Sequence, residues 1–504
     1  MNQRAIILKS TAIICFLILS ISSISQDNKN PTPNFYNSAN TARTVAEWEP
    51  AIGTMIVWPL SIPYKLAVEL AKDNHLFTLV VSDSAKLEAL EWYLKWGIDT
   101  ARNTFISVPQ GIDSWWVRDW GPSAVFTRNG KMMLADGKYI YSTPVTGLAC
   151  NDSLFFIYKD KEKNIIKTET DDNATLPLGN GLNIPVLDLP FINTGGNVLT
   201  DGLGTAFSTC VLLNENRFYN VPEDKFLQLN KELMGFDKYN ILSNFEKEGI
   251  QHIDCFMKLL DEERIIVAEP PRDHELFPVY ERIIREELFR LKTAYGRPYQ
   301  ILRIKTAPYL EDRLAAYTNS IIINKTIYVP LFQIKADSLA LIRWREVMPG
   351  YTVKGFSFDF KDEPFVTAQM KDHYRTNYGW DNGDALHCRT RAIWDAEMLF
   401  ISTKRLEPKV STTNKNLVYA TIIDYSQKGL VKGKQQLIWR VRGETKWKVL
   451  PLIQVGTSEQ FSAEFPYHRP GKLIEYYITA ASNSGRIEMQ PRTAPLGTYQ
   501  FTIQ

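Results

Sequence analysis

Short apolar runs alternate with amphipathic stretches along most of the chain, beginning near residue 54. Residues 54–59 and 77–82 have the character of short buried strands, and residues 65–72 between them have helical periodicity. The same alternation returns at 192–213, at 254–267 followed by a helical 279–293, and at 321–332. Strands alternating with helices predict an α/β fold.

The pattern changes after residue 404, where helical periodicity stops and alternating strands follow. We predict strands at 417–425, 436–441, 460–465, 474–481 and 498–503, separated by turns at Pro470-Gly471 and at 483–485. Short strands at this spacing are typical of an immunoglobulin-like β-sandwich. The sequence therefore predicts an α/β domain over 45–404 and a C-terminal sandwich over 405–504.

The N-terminus has the pattern of a secretory signal peptide. Arg4 and Lys9 form a basic start, residues 11–21 are apolar, and Ser23 and Ser25 are small enough for a cleavage site. We predict a signal peptide over 1–25 and a flexible lead-in over 26–44. An uncleaved membrane anchor is the alternative, although the apolar run is short for a span of about 20 residues. The mature chain is expected without a membrane span, exported to the periplasm or the extracellular space.

Composition excludes several classes of function. Lys and Arg total 58 against 56 Asp and Glu, so the net charge of +2 gives no sustained field for nucleic acid or an anionic membrane. Beyond the predicted signal peptide the cysteines are Cys150, Cys210, Cys255 and Cys388. These are too few for a disulfide framework, and no Cys-x-x-Cys or His-x-x-x-His pair suggests a metal site. Function must therefore be sought in a local site.

Residues 115–122 place Arg118 and Asp119 beside Trp115, Trp116 and Trp120, just before a Gly-Pro turn. Two interpretations are open. Arg118 and Asp119 form a buried ion pair under aromatic cover, or Asp119 belongs to a cation pocket in which a carboxylate grips a guanidinium beneath an aromatic face.

Residues 249–255 contain His252 and Asp254, which a strand would turn to one face, with Cys255 on the other. Alone, this pair is as compatible with a hydrogen-bonded core histidine or a metal-ligand pair as with catalysis.

Residues 383–390 contain Cys388 between His387 and Arg389, and these neighbours favour a reactive thiolate. A lone cysteine is more often inert and buried. Asn319 ends a short polar segment from which it can present its amide to a substrate. The Gly195-Gly196 pair allows close backbone approach, which is also ordinary turn chemistry.

Together these residues match one kind of chemistry. A guanidinium carbon is a poor electrophile because its charge is delocalised. Two carboxylates that localise the cation, a soft nucleophile and a proton carrier supply what the reaction needs. Asp119, Asp254, Cys388 and His252 are such a set.

The chain resembles the bacterial peptidylarginine deiminase and agmatine deiminase family of guanidino-group-modifying enzymes. The resemblance covers about 46 to 400. It lies in Ala46-Glu47-Trp48-Glu49-Pro50 with Trp58-Pro59, in Trp116-x-Arg118-Asp119-x-Gly121-Pro122, and in Gly195-Gly196-Asn197, His252-x-Asp254, Tyr317-x-Asn319 and His387-Cys388.

The resemblance implies the pentein fold, a five-bladed α/β propeller, ahead of the sandwich. It also implies that Cys388 is the nucleophile, that His252 is the general acid and base, and that Asp119 and Asp254 bind the guanidinium. The reaction then passes through a covalent thiouronium on Cys388, which water hydrolyses, and the resemblance implies that it needs neither a metal nor a cofactor. The substrate pocket is expected to include Trp116, Arg118, Gly196, Asn197, Ile250 and Asn319.

The resemblance is greatest to the secreted peptidylarginine deiminase, which acts on arginine in a peptide or protein. That enzyme grips a C-terminal carboxylate with two arginines, and residues 139–147 contain none. Agmatine, which lacks the carboxylate, is the alternative substrate, although predicted export argues against it. Thr194 also stands where agmatine enzymes tend to carry an acidic residue. Free arginine ranks lowest, and a non-catalytic binding protein is the alternative from another class.

Overall fold

The computed structural model describes residues 42–139, 169–246, 250–311, 313–373, 378–380, 384–411, 416–466 and 470–504. These residues belong to one compact unit, Phe35–Gln504. The predicted signal peptide and nearly all of the predicted lead-in lie outside them. None of the helices in the described ranges is both long and apolar enough to cross a membrane.

Five small sheets form the part of the chain before residue 399, within the described ranges. Each contains a parallel pair of strands joined through a helix, with an antiparallel neighbour beside it. One sheet has the strand order Arg391–Trp394, Ala51–Val57, His75–Val80 and Asn103–Ser107, and a second has Arg43–Thr44, Ser123–Phe126, Met132–Lys138 and Val186–Ile192. A third has Lys238–Leu242, Thr205–Thr209 and Leu199–Thr200, and a fourth has Met257–Leu259, Arg264–Glu269 and Gln300–Lys305. The fifth has Ile321–Ile323, Thr326–Leu331 and Thr352–Ser357. Pro308–Leu310 and Arg313–Leu314 form a separate hairpin. The predicted α/β fold is confirmed.

The helices pack their apolar sides on these sheets. Helix Tyr64–Asp73 buries Leu66 and Leu70, and Ser82 accepts the Ala85 N–H to cap the next helix. Within the described ranges the α-helices are Tyr64–Asp73, Asp83–Lys95, Val117–Trp120, Glu169–Asp172, Thr175–Leu182, Cys210–Phe218, Glu223–Leu229, Phe277–Glu286, Ala336–Val347 and Ala368–His373. Short 3-10 helices lie at Thr100–Arg102, Gly195–Asn197, Ile253–Cys255 and Leu288–Arg290, and a π-helix at Asn230–Met234.

Residues from Leu399 onward form two further sheets around a core of their own, which includes Leu437, Trp439, Tyr476 and Phe501. One sheet runs Leu399–Ser402, Leu417–Asp424, Gln460–Glu464 and Ile453–Gln454. The other runs Lys409–Val410, Tyr499–Ile503, Leu473–Ala481, Gln436–Val441 and Lys448–Pro451, with Ile487–Gln490 paired to Leu473–Ala481. The predicted strands are present, and the first sheet begins before residue 405.

A buried arginine connects the two parts. The guanidinium of Arg43 donates to both carboxylate oxygens of Glu49 at 2.7 and 2.8 Å and to the Tyr425 hydroxyl at 2.9 Å. Its carbon lies 4.2 Å from the centre of the Phe400 ring. Since Arg43 and Glu49 are both buried, the pair is shielded from water, and losing either partner would leave a charge without compensation.

Candidate active site

Three predicted site residues, from two distant segments of the chain, surround Gly196. A Cβ atom placed on this glycine would lie 2.5 Å from Asp119 Oδ1, 3.1 Å from His252 Nδ1 and 3.3 Å from Asp254 Oδ2. Only a glycine leaves room for all three groups. The Gly196 N–H also donates to Asp119 Oδ1 at 3.0 Å, so the backbone orients this carboxylate.

His252 lies between carboxylates. Its Nδ1 atom is 3.5 Å from Asp119 Oδ1. Burial lowers the pKa of His252, but the negative charges of Asp119, Asp254 and Glu215 outweigh burial and raise the pKa to about 9. His252 is therefore positively charged at neutral pH and can deliver a proton.

Cys388 lies beside Asp254 and Asn319, fully buried. Its Sγ atom is 3.8 Å from Asp254 Oδ2 and accepts a hydrogen bond from Asn319 Nδ2 at 3.2 Å. A hydrogen bond from Cys255 lowers the pKa of the Cys388 thiol, but burial and the nearby carboxylates, Asp254 first, raise it to about 11. The free site thus holds a neutral thiol at neutral pH.

Backbone contacts fix the segment that carries Cys388. The Arg118 N–H donates to the Cys388 carbonyl at 3.0 Å, and Arg118 Nε donates to the His387 carbonyl at 3.3 Å. Asn319 Oδ1 accepts the His387 N–H at 2.9 Å. Arg118 and Asn319 therefore position the segment that carries Cys388 from two other parts of the chain.

The expectation that His387 and Arg389 stabilise a thiolate requires correction, because carboxylates occupy both side chains. Arg389 donates twice to Asp384, at 2.9 Å each. His387 Nδ1 contacts Asp254 Oδ2 at 2.6 Å, and its Nε2 contacts Glu47 Oε2 at 2.7 Å. Both side chains are therefore directed at carboxylates rather than at the sulfur.

A buried chain of charges extends from Asp254 through His387 to Glu47 and Lys258. Lys258 Nζ donates to the Glu47 oxygens at 2.9 and 3.0 Å. Burial alone would raise the pKa of Asp254, but the hydrogen bond and charge of His387 hold it below its ordinary value. Asp254 is therefore ionised and held in one orientation.

The structure contradicts the expected direction of Cys255. Residues Ile253–Cys255 form a 3-10 helix rather than a strand, so side chains do not alternate between two faces. Cys255 Sγ lies 3.5 Å from Asp254 Oδ1 and 3.7 Å from Asn319 Nδ2. It belongs to the same cluster as Cys388.

Other predicted pocket residues have structural contacts. Asn197 Oδ1 accepts the N–H groups of Thr209 and Ile253, both at 3.0 Å. Trp116 is buried at the start of the helix that carries Asp119. Ile250 is half-buried. Substrate contacts for these residues remain predictions.

Sequence reasoning did not assign Glu47, Lys258 or Glu215 to the site. Glu47 was noted only as part of the resemblance. Glu215, on helix Cys210–Phe218, accepts a hydrogen bond from Thr194 Oγ1 at 3.0 Å and contributes to the raised pKa of His252. A buried carboxylate thus lies next to Thr194, although it comes from another element.

The sequence left the disulfide state of Cys150, Cys210 and Cys255 open. Cys255 and Cys388 are unoxidised thiols, whereas Cys210 is disulfide-bonded. The sparse cysteine pattern gave no indication of that bond. Cys150 lies outside the described residues.

The model of the Porphyromonas-type peptidyl-arginine deiminase family matches residues 43–359. The chain belongs to this family. It is an enzyme that hydrolyses an amidine C–N bond. The match includes Asp119, His252 and Asp254, and it ends before Cys388.

Relatives and solved structures agree with this family. A protein provisionally named agmatine deiminase from Mycoplasma mycoides subsp. mycoides is 24% identical over 341 residues, 61% of this chain and 88% of the relative. Another from Yersinia pseudotuberculosis is 23% identical over 352 residues, 62% and 88% of the two chains. An agmatine deiminase from C. jejuni, solved with substrate bound, matches 70% of this chain and 97% of its own at TM-score 0.51 and 18% identity. The agmatine deiminase of Enterococcus faecalis matches 71% and 97% at TM-score 0.52 and 16% identity. These structures support the fold.

Proposed function

We propose that this member of the family converts the guanidinium of a peptide's arginine to a ureido group, releasing ammonia. The observation that supports the proposal is the convergence of Asp119, His252 and Asp254 around Gly196, with the Cys388 sulfur 3.8 Å from Asp254. The cluster contains two carboxylates for a planar cation, a charged imidazole and a thiol. Such a set fits substitution at a guanidinium carbon.

Substrate binding and nucleophile activation are coupled in this mechanism. The carboxylates of Asp119 and Asp254 bind the guanidinium, and the same negative charges raise the pKa of Cys388. A bound cation offsets those charges, so the pKa of the thiol falls when substrate is present. The thiol then releases its proton to solvent, and the thiolate forms next to the carbon it attacks.

The chemical steps follow from the protonation states. The Cys388 thiolate adds to the guanidinium carbon to form a C–S bond. His252 gives its proton to one nitrogen, the C–N bond breaks, and ammonia leaves. The neutral imidazole next takes a proton from water, whose oxygen adds to the same carbon. The C–S bond then breaks with its electron pair on sulfur, and the hydroxyl proton of the adduct passes to that thiolate, which frees the ureido product and restores the thiol.

Three features favour peptidyl arginine as the substrate. They are the resemblance of 251–255, 317–320 and 385–390 to the secreted enzyme, the predicted export and the matching family model. Agmatine is the second candidate, because the curated relatives are named agmatine deiminases. The arginine-free stretch 139–147 lies almost entirely outside the described residues.

We further propose that the five α/β sheets form the blades of a pentein propeller and that the two C-terminal sheets form an immunoglobulin-like domain. The repeated combination of a parallel strand pair, a helix and an antiparallel neighbour supports the first proposal. The separate apolar core of the C-terminal sheets supports the second. We also propose that the signal peptide is cleaved near residue 25 and that the mature chain is exported.

The test is a substrate panel assayed for ureido product and ammonia. It includes a peptide ending in arginine, a peptide with internal arginine, agmatine and free arginine. We expect the highest kcat/KM with a peptide. Turnover of agmatine alone would replace the proposal with the second candidate, and no turnover of any would favour a binding protein.

A further inference from the structure

A second thiol lies in the candidate active site. Cys255 ends the 3-10 helix Ile253–Cys255 and is buried, as is Cys388. Both thiols are unoxidised. The reaction described above uses one sulfur, so the second requires an explanation.

The two thiols share their polar partners. Asn319 Nδ2 lies 3.2 Å from Cys388 Sγ and 3.7 Å from Cys255 Sγ. The Asp254 carboxylate receives one thiol on each oxygen, Cys255 at 3.5 Å from Oδ1 and Cys388 at 3.8 Å from Oδ2. Each thiol also shifts the pKa of the other. Cys255 thus shares both polar partners of the Cys388 sulfur.

We propose that Cys255 is a positioning residue that donates its S–H to the Cys388 sulfur and thereby keeps Cys388, rather than itself, as the thiolate. The proposal rests on Cys388 being the nucleophile of the proposed deiminase. Cys255 would not touch the substrate carbon. It would act only through the sulfur that does.

The environments of the two sulfurs agree with Cys388 as the thiolate and Cys255 as the protonated donor. Their mutual hydrogen bond lowers the pKa of Cys388 and raises that of Cys255 well above its ordinary value, where burial adds to the effect. When one proton is lost, it therefore leaves Cys388. The remaining proton, on Cys255, is the one available to bond to the thiolate.

Charged groups face both sulfurs and set the background for a titration. The carboxylates of Asp254, Asp384 and Asp119 oppose a thiolate on Cys388, whereas the Arg118 guanidinium favours it. Around Cys255 the titratable groups are Asp254, Glu246 and Tyr280. All of these remain when only Cys255 is changed, so a shift in the titration of Cys388 reports the lost donor.

The test is the rate at which iodoacetamide alkylates Cys388 in the full chain, measured from pH 7 to pH 11 by mass spectrometry of the peptide containing Cys388. Native enzyme is compared with Cys255→Ala, Cys255→Val and Cys255→Ser. Serine keeps a donor, whereas alanine and valine remove it. Valine also fills the space, so it replaces alanine in the comparison if Cys255→Ala does not fold.

We expect alkylation at pH 8 to be about tenfold slower in the alanine and valine variants, because the pH midpoint rises by about one unit. The serine variant should stay within about threefold of native enzyme. Alanine or valine variants as fast as native would overturn the proposal, as would a serine variant as slow as alanine. The assay needs no turnover. If the alkylation rates are as expected but the enzyme turns over no guanidine substrate, the proposed deiminase activity is rejected. The proposed hydrogen bond between Cys255 and Cys388 is then still supported.

Discussion

Nδ1 of His387 lies 2.6 Å from Oδ2 of Asp254. The other ring nitrogen lies 2.7 Å from Glu47 Oε2. A carboxylate only accepts hydrogen bonds, so each contact needs a hydrogen on the ring nitrogen. His387, next to the proposed nucleophile Cys388, thus fixes the carboxylate of Asp254 and is itself held by Glu47.

Replacing His387 tests this positioning. In His387→Ala, Asp254 loses its oriented donor and can turn from the geometry that binds the guanidinium. A displacement of about 1 Å can cost about 10²-fold in rate, and we expect kcat to fall by about that factor. Steady-state kinetics on the best substrate measure it. A kcat within threefold of native would contradict the role.

Asp119→Asn tests the role of the carboxylate that lies beside His252. The substituted residue keeps its shape but loses the charge that raises the pKa of His252, so that pKa should fall from about 9 toward its ordinary range. Substrate also loses an ionic partner, and kcat/KM should drop at least about 10²-fold.

NMR titration of the imidazole and steady-state kinetics measure the two effects. Asp188→Asn is the matched control, because that side chain is 71% exposed and ion-pairs with Lys138. The interpretation fails if Asp119→Asn leaves the titration of His252 unchanged.

The pH profile of kcat/KM follows from two pKa values. Below pH 9 the free enzyme carries a proton on both His252 and Cys388, one more than the reaction uses. We therefore expect kcat/KM to rise about tenfold per pH unit up to about pH 9 and to fall above about pH 11, where the second proton is lost. A profile flat from pH 6 to 8 would contradict these assignments.

Arg43→Ala tests what holds the two parts of the chain together. Removing Arg43 leaves Glu49 as an uncompensated buried charge and removes the contact with Phe400. The free energy of unfolding should fall by about 3–5 kcal/mol. Arg217→Ala, which breaks an exposed pair with Glu223, should change it by about 0–1 kcal/mol. Chemical denaturation measures the free energy of unfolding of both variants. Equal losses would contradict the claim that burial makes the Arg43–Glu49 pair the more important of the two.

The hydrophobic periodicity predicted most helices and strands well, because the burial of a helix or strand determines which of its neighbouring residues are apolar. Residues 65–72 were predicted helical and lie in helix Tyr64–Asp73; 436–441 were predicted as a strand and form Gln436–Val441. The helical prediction for 279–293 ran too long, since the α-helix Phe277–Glu286 gives way to a 3-10 turn.

The site was harder to predict because its contacts are not local. His387 and Glu47 are separated by 340 positions, and no local pattern joins them. The direction of Cys255 was missed because a 3-10 helix of three residues leaves no periodic signal. The residues of the site were identifiable from motifs, whereas the partners that orient them required the fold.

The central claim is that Cys388 is the nucleophile of a guanidine hydrolase, and the most direct test compares ureido product formed by native enzyme and by Cys388→Ala under identical conditions. Circular dichroism and thermal unfolding verify that the variant is folded. The account predicts steady product formation by native enzyme on an arginine peptide and none above background by the folded variant. Turnover by folded Cys388→Ala would contradict it.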